Sequence, residues 1–228
     1  MRSTLAFALL TVLASPALAH EGDIGIRINA GKLETVLASG EPPTQTFGTE
    51  IGRVFAAELA WNAITSEVII DEPGFASNAA GLLNQNLGFN FRAALRKWNG
   101  SGFDAAAQTM SAGGGDLGLS FLPTPATDVL TPGHAITVPQ IPLDFHFDWR
   151  LDGASETTGF GVYLVEVELT NPGGSLLTSD PIWFVYNWNE DELVHEEAIE
   201  YVVTNLVPTP GAGLALGALA LIGRRRRR

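Results

Sequence analysis

Phe160-Gly161-Val162-Tyr163-Leu164-Val165-Glu166-Val167-Glu168-Leu169 is the stretch that decides the fold. Read with a period of two, it puts Tyr163, Val165, Val167 and Leu169 on one face. The other face begins with Phe160, Val162 and Leu164 and ends with Glu166 and Glu168. One side is therefore core throughout, and the other turns polar halfway along. Asn171-Pro172-Gly173-Gly174 then supplies a turn. The run that follows, 181–188, is continuously apolar enough to be a central strand buried on both sides.

Outward from this pair, further short β-rich runs stand between Gly, Pro, Asn and Asp residues, at 23–28, 32–37, 53–59, 67–70, 87–95, 116–121, 135–138 and 143–151. Short strands at this spacing predict a mostly β protein, a single antiparallel β-sandwich. Residues 35–47 and 113–115 read as loops, and 76–86 as a loop or short turn. One amphipathic helix is expected near the C-terminal end. Asn189 serves as its N-cap, and Glu190, Asp191 and Glu192 favour the positive end of its dipole. Leu193, Ile199, Val202, Val203 and Leu206 recur at helical spacing. Such a helix packs on the sandwich or leads from it to the tail.

Both chain ends read as addresses rather than as fold. Arg2 opens a short positive region, 5–13 is apolar, and Ala17-Leu18-Ala19 is an A-x-A cleavage pattern. Residues 1–19 are therefore expected to be a signal peptide removed by signal peptidase, leaving His20 first. At the other end, Pro208-Thr209-Pro210-Gly211 precedes an uncharged apolar run and the block Arg224-Arg225-Arg226-Arg227-Arg228. As a helix, residues 210–223 span roughly 21 Å, short of the roughly 30 Å hydrocarbon core. Snorkelling arginines make up part of the difference, and the basic block stays on the cytoplasmic side. Composition alone leaves two readings, a plain transmembrane anchor or a processed sorting signal.

The Pro-x-Pro element, short hydrophobic helix and terminal arginines resemble the PEP-CTERM sorting signal, with Thr209 where the family usually has Glu. That resemblance implies an exosortase substrate in the envelope of a Gram-negative bacterium that makes an extracellular polymeric matrix. It also implies transient anchoring in the membrane by residues 207–228.

The domain between the two ends, 20–206, holds all 25 acidic residues and seven basic ones, a net charge of −18. This argues against DNA, RNA or an anionic membrane as partner and favours attraction of cations. Cysteine is absent, so thiol catalysis is excluded, and a domain of this size buries enough core without disulfides. No phosphate loop, nucleophile elbow or zincin helix is present.

The densest constellation is Asp144-Phe145-His146-Phe147-Asp148-Trp149. On a strand, Phe145, Phe147 and Trp149 share a core face and Asp144, His146 and Asp148 share the other. The polar face is either solvated or a metal surface, since imidazole and carboxylate together suit Zn²⁺ and Cu²⁺. His20, as a mature N-terminus, adds an imidazole and a free α-amine, with Asp23 three residues on. His134 follows a turn, as a loop histidine or one that folds back towards His146. His195 sits among acidic helix residues and reads as part of a solvated face. Of Trp61, Trp98, Trp149, Trp183 and Trp188, any left exposed offers a stacking surface for sugars.

Several pieces, among them Asp71-Glu72-Pro73-Gly74-Phe75 and Asp180-Pro181-Ile182-Trp183-Phe184, resemble recurrent segments of a group of PEP-CTERM surface proteins. More distantly, His146-Phe147-Asp148-Trp149 is similar to a piece of surface-anchored domains linked to metal homeostasis. Those carry His-x-His where this chain has Asp144 before His146. The expectation is a non-enzymatic, secreted, C-terminally sorted surface or matrix protein with a divalent-metal site. Two alternatives stand beside it: a copper mono-oxygenase-like enzyme with His20 in a histidine brace, and a protein that binds matrix polysaccharide.

Overall fold

The computed structural model of the protein describes residues 23–40 and 44–208. In chain order its strands are β1 (Ile24–Asn29), β2 (Lys32–Ser39), β3 (Thr46–Ile51), β4 (Val54–Glu58), β5 (Ala60–Asn62), β6 (Glu67–Ile70), β7 (Phe75–Ser77), β8 (Asn86–Phe91), β9 (Arg96–Trp98), β10 (Phe103–Ala105), β11 (Thr109–Gly114), β12 (Leu119–Pro123), β13 (Thr131–Thr137), β14 (Leu143–Phe145), β15 (Asp148–Asp152), β16 (Gly161–Thr170) and β17 (Ile182–Trp188). Among the described residues a single α-helix, α1 (Glu192–Tyr201), follows and continues into a π-helical turn, Val202–Leu206.

The strands form three sheets. One runs β14-β7-β1-β2-β3 and another β12-β11-β15-β6-β5. The third runs β10-β9-β16-β17-β4, with β8 on β16 and β13 on β8. The expected β-rich protein with one C-terminal helix is thus present, but its pairing is not uniformly antiparallel. β1 with β7, and β17 with β4, are parallel. Both pairs join strands far apart in sequence, and such long connections are what parallel pairing requires.

The decisive stretch behaves as its alternation demands. Tyr163, Val165, Val167 and Leu169 enter the large core shared by all three sheets. Val162 and Leu164 enter a second apolar layer with Trp183, Val185 and the helix. Where the outer face turns polar, Arg92 on the neighbouring strand's end holds both Glu166 and Glu168. Every residue of β17 is buried, and its even and odd positions feed the two layers.

The helix starts later and faces differently from its sequence reading. Asn189 adopts φ of 54° and ends a turn. In that turn the Asn187 side chain accepts from the Glu190 N–H and donates to its carbonyl. Asp191 is the N-cap, accepting from the Leu193 N–H at 2.9 Å. Leu193 is 67% exposed, and His195, Ala198 and Val202 are the buried residues of the helix and the turn that follows it. His195 is therefore no part of a solvated face.

The 143–151 run is two strands. β14 lies beside β7 in one sheet and β15 between β11 and β6 in another, so the chain changes sheets at His146-Phe147. Alternation survives the change: Phe145, Phe147 and Trp149 are all buried. Phe75 stacks on Phe145, Phe147 meets Phe75 and Phe89 edge-on, and Trp149 meets Phe184. This aromatic column ties the three sheets together. The positions left pointing away from it hold Asp144, His146 and Asp148.

Candidate metal centre

Sheet register builds the site. Ile24 pairs with Phe75 across the parallel β1–β7 ladder, and Phe75 pairs with Phe145 across the antiparallel β7–β14 ladder. One position along, the same row contains Asp23, Gly74 and His146. These three sit on the face opposite the Phe75–Phe145 stack. The row is closed by the Ile24 N–H, which donates to the Gly74 carbonyl at 2.8 Å.

Gly74 is the gap through which its neighbours meet. A Cβ there would lie 2.5 Å from both Asp23 Oδ1 and His146 Cε1, and 2.6 Å from His146 Nδ1. Any side chain would push the carboxylate and the imidazole apart.

The imidazole is oriented by backbone. His146 Nδ1 lies 3.0 Å from the carbonyl oxygen of Asp71. A carbonyl only accepts, so Nδ1 carries the proton, and in the neutral ring Nε2 offers its lone pair. Nε2 faces Asp144 Oδ1 at 3.6 Å and Asp23 Oδ1 at 3.7 Å. Asp144 Oδ1 is buried and makes no hydrogen bond among the described residues. Glu72 Oε1 stands 3.9 Å from Nδ1, and one ligand atom each from Asp23, Glu72 and His146 lie within 4.8 Å of one another. Asp23 Oδ2 accepts from Gln45 Nε2 at 2.8 Å, which holds that carboxylate in place.

Burial disfavours the charged imidazole. The Asp71 carbonyl and the charges of Glu72, Asp23 and Asp144 more than offset it, so the His146 pKa stands above its ordinary 6.5. The site as a whole attracts positive charge. Tetrahedral metal–ligand bonds of about 2.0–2.2 Å put neighbouring ligand atoms about 3.4 Å apart. The Nε2–carboxylate separations exceed that by a few tenths of an ångström. They are too long for hydrogen bonds and near the spacing that a shared cation imposes.

Asp148 opens β15 on the same side. Its Oδ2 accepts from the Gly115 N–H at 2.9 Å. Gly115, at φ of 57°, passes so close to the His146 carbonyl that no side chain fits there. Asp71, Glu72, Gly115, Asp116, His146 and Asp148 line one open cleft. Past Asp71 and Asp148 it adjoins a second depression walled by Trp61, Ile64, Ile69 and Ile70.

Of the sequence-predicted ligands, Asp144, His146 and Asp148 come together here. His134 does not: its Nε2 donates to the Ala112 carbonyl at 3.1 Å, and its ring stacks on Phe147, on the aromatic side of the segment. The reason is alternation, since Phe147 points opposite to His146. His20, the cleavage residues Ala17 and Ala19, and the sorting residues Thr209, Pro210, Gly211 and Arg224 to Arg228 lie outside the described residues. Pro208 is described and exposed. No helix among the described residues is long and apolar enough to cross a membrane. Glu72 was not singled out from the sequence as a ligand. The only signal for it was its place in Asp71-Glu72-Pro73-Gly74, a turn rich in acid.

Comparison with models of known protein families finds no match, and comparison with curated proteins finds none either.

Proposed function

We propose that the protein is a secreted, C-terminally sorted surface or matrix protein of a Gram-negative-type bacterium whose non-enzymatic task is to bind a divalent cation, Zn²⁺ or Cu²⁺. One observation carries the metal reading. His146 Nε2, its tautomer set by the Asp71 carbonyl, faces two carboxylate oxygens at 3.6 and 3.7 Å. Asp23, Asp144 and His146 supply the ligands, and Glu72 the next nearest carboxylate. Asp148 borders the open side. The address rests on the sequence of the two ends: cleavage after Ala19, and residues 207–228 as an exosortase signal.

Cleavage after Ala19 leaves His20 three residues before Asp23. At about 3.3–3.6 Å per extended residue, three residues reach at most roughly 11 Å. That is close enough for its amine and imidazole to join the same cation. Calorimetric titration with Zn²⁺ of protein beginning at His20 tests this. Saturable binding is expected, with the equivalent held at His146 lost in His146→Ala and weakened when one residue is added before His20. Unchanged affinity in His146→Ala would remove the metal reading. Copper-loaded protein that consumes oxygen with a reductant and releases oxidised sugars from a polysaccharide would replace the non-enzymatic reading with the mono-oxygenase-like one.

The polysaccharide reading has one observation in its favour. Trp149, Trp183 and Trp188 are buried, and Trp98 packs on Phe103 and Tyr201, whereas half-buried Trp61 borders the depression beside the metal cleft. Retardation in polysaccharide-containing gels that Trp61→Ala abolishes would support it.

A further inference from the structure

A second constellation lies under the helix. Glu58 ends β4, Glu192 opens α1, and His195 sits one turn further along. The His195 residue is 4% exposed. Its Nε2 lies 3.1 Å from the Val185 carbonyl oxygen of β17, an acceptor, so Nε2 carries a proton. In a neutral ring the Nδ1 lone pair then points at Glu58 Oε1, 2.9 Å away. A lone pair against a carboxylate oxygen at that distance is repulsive, so the geometry holds a positive charge between them.

Charge distinguishes which cation. One ligand atom from each of Glu58, Glu192 and His195 lie within 4.8 Å of one another. A proton on Nδ1 satisfies Glu58 and leaves the three groups at net −1. A divalent cation takes the lone pair, engages both carboxylates and brings the group to neutrality. The positive end of the helix opposes it with about half a charge, against two full carboxylate charges. Metal-bound histidines characteristically donate their far N–H to a carbonyl or carboxylate, which is what Val185 receives. Glu58 and Glu192 are both exposed, so their side chains are free to open to the about 3.4 Å spacing of a tetrahedral site.

We propose that Glu58, Glu192 and His195 form a second divalent-cation site, independent of His146, which clamps α1 to β4 and β17. Its ligands come from the helix and from an edge strand, so the cation adds a charged link between elements that otherwise meet through the apolar layer around Val54, Val185, Ala198 and Val202 and the His195–Val185 hydrogen bond.

The test is Zn²⁺ titration of the secreted protein, read as stoichiometry. Two equivalents are expected in the unchanged protein. One is expected in His146→Ala, and one in the double variant Glu58→Gln/Glu192→Gln, with a cooperative melt of the metal-free variant as the check that it folds. Combining all three substitutions should leave none. Zn²⁺ should also raise the melting temperature less in the double variant than in the unchanged protein. Two equivalents retained in the double variant, or a single equivalent lost entirely in His146→Ala, would overturn the second site. Loss in the double variant with no effect of His146→Ala would overturn the first site and keep the second.

Discussion

At the scale of single residues, Gly74 sets how closely the proposed ligands approach, and His146 sets the pH response of the proposed metal centre. In Gly74→Ala the new methyl occupies the space where Asp23 Oδ1 and His146 approach. Such overpacking costs about 1–3 kcal/mol, and the displaced ligands should lose roughly 10- to 100-fold in Zn²⁺ affinity, the range seen when groups that position metal ligands are altered. Calorimetry beside thermal melting separates the two effects. A stability loss with affinity intact would mean that the gap is structural only.

The raised His146 pKa gives two effects of opposite sign. Without metal, a group raised in the folded state stabilises fully below its unfolded value, near 6.5, and the contribution fades as pH rises through the folded value. Metal binding requires the deprotonated ring, so affinity climbs over that same rise. The melting temperature of metal-free protein should therefore fall across this window while Zn²⁺ affinity increases. Parallel melts and titrations check both. Asp144, His146 and Asp148 were legible in the sequence because period-two alternation places them on one face. The places of Asp23 and Glu72 in the proposed site were not, because they reach His146 only through the register of β1 and β14 on either side of β7.

At the scale of elements, the helix shows what local sequence decides and what it leaves to packing. An acid-rich start and helical spacing were enough to find it. Its cap was placed two residues early: Asn189 reads as the N-cap, but the Asn187 turn takes up that position and Asp191 caps the helix instead. Asp191→Ala should cost about 1 kcal/mol, a fall of about 2–4 °C in melting temperature for a chain of this size. Asn189→Ala should show no lost cap, only the strain of a non-glycine residue at positive φ. Thermal melts of the pair rank them. The short strands β5, β7, β9 and β10 escaped the sequence reading because three residues are too few to display alternation. β14 and β15 read as one strand because the change of sheet keeps the alternation unbroken. Where the chain turned was invisible, although which side each residue faced was plain.

For the whole molecule, charge and processing are the testable quantities. With 25 acidic residues against seven basic ones between the two ends, self-repulsion is strong, and salt or a divalent cation should stabilise the fold. Intact-mass analysis of protein from its own host should give a chain that begins at His20 and lacks Arg224 to Arg228. A cell-bound product that keeps the arginines would make residues 207–228 a plain anchor.

The placement of β17 has a mechanical meaning. It lies between β16 and β4 and leads through the Asn187 turn into α1 and the π-helical turn that continues it, the last elements before Pro208. A protein held to a surface by its C-terminal side receives drag at that end. Under the proposed C-terminal sorting, the load would reach the helical segment first, which packs on one apolar layer, and only afterwards β17, which would have to slide against two hydrogen-bonded ladders at once. A cation bridging Glu58, Glu192 and His195 would sit at the point where tension enters, converting the weakest joint of the tether into a riveted one.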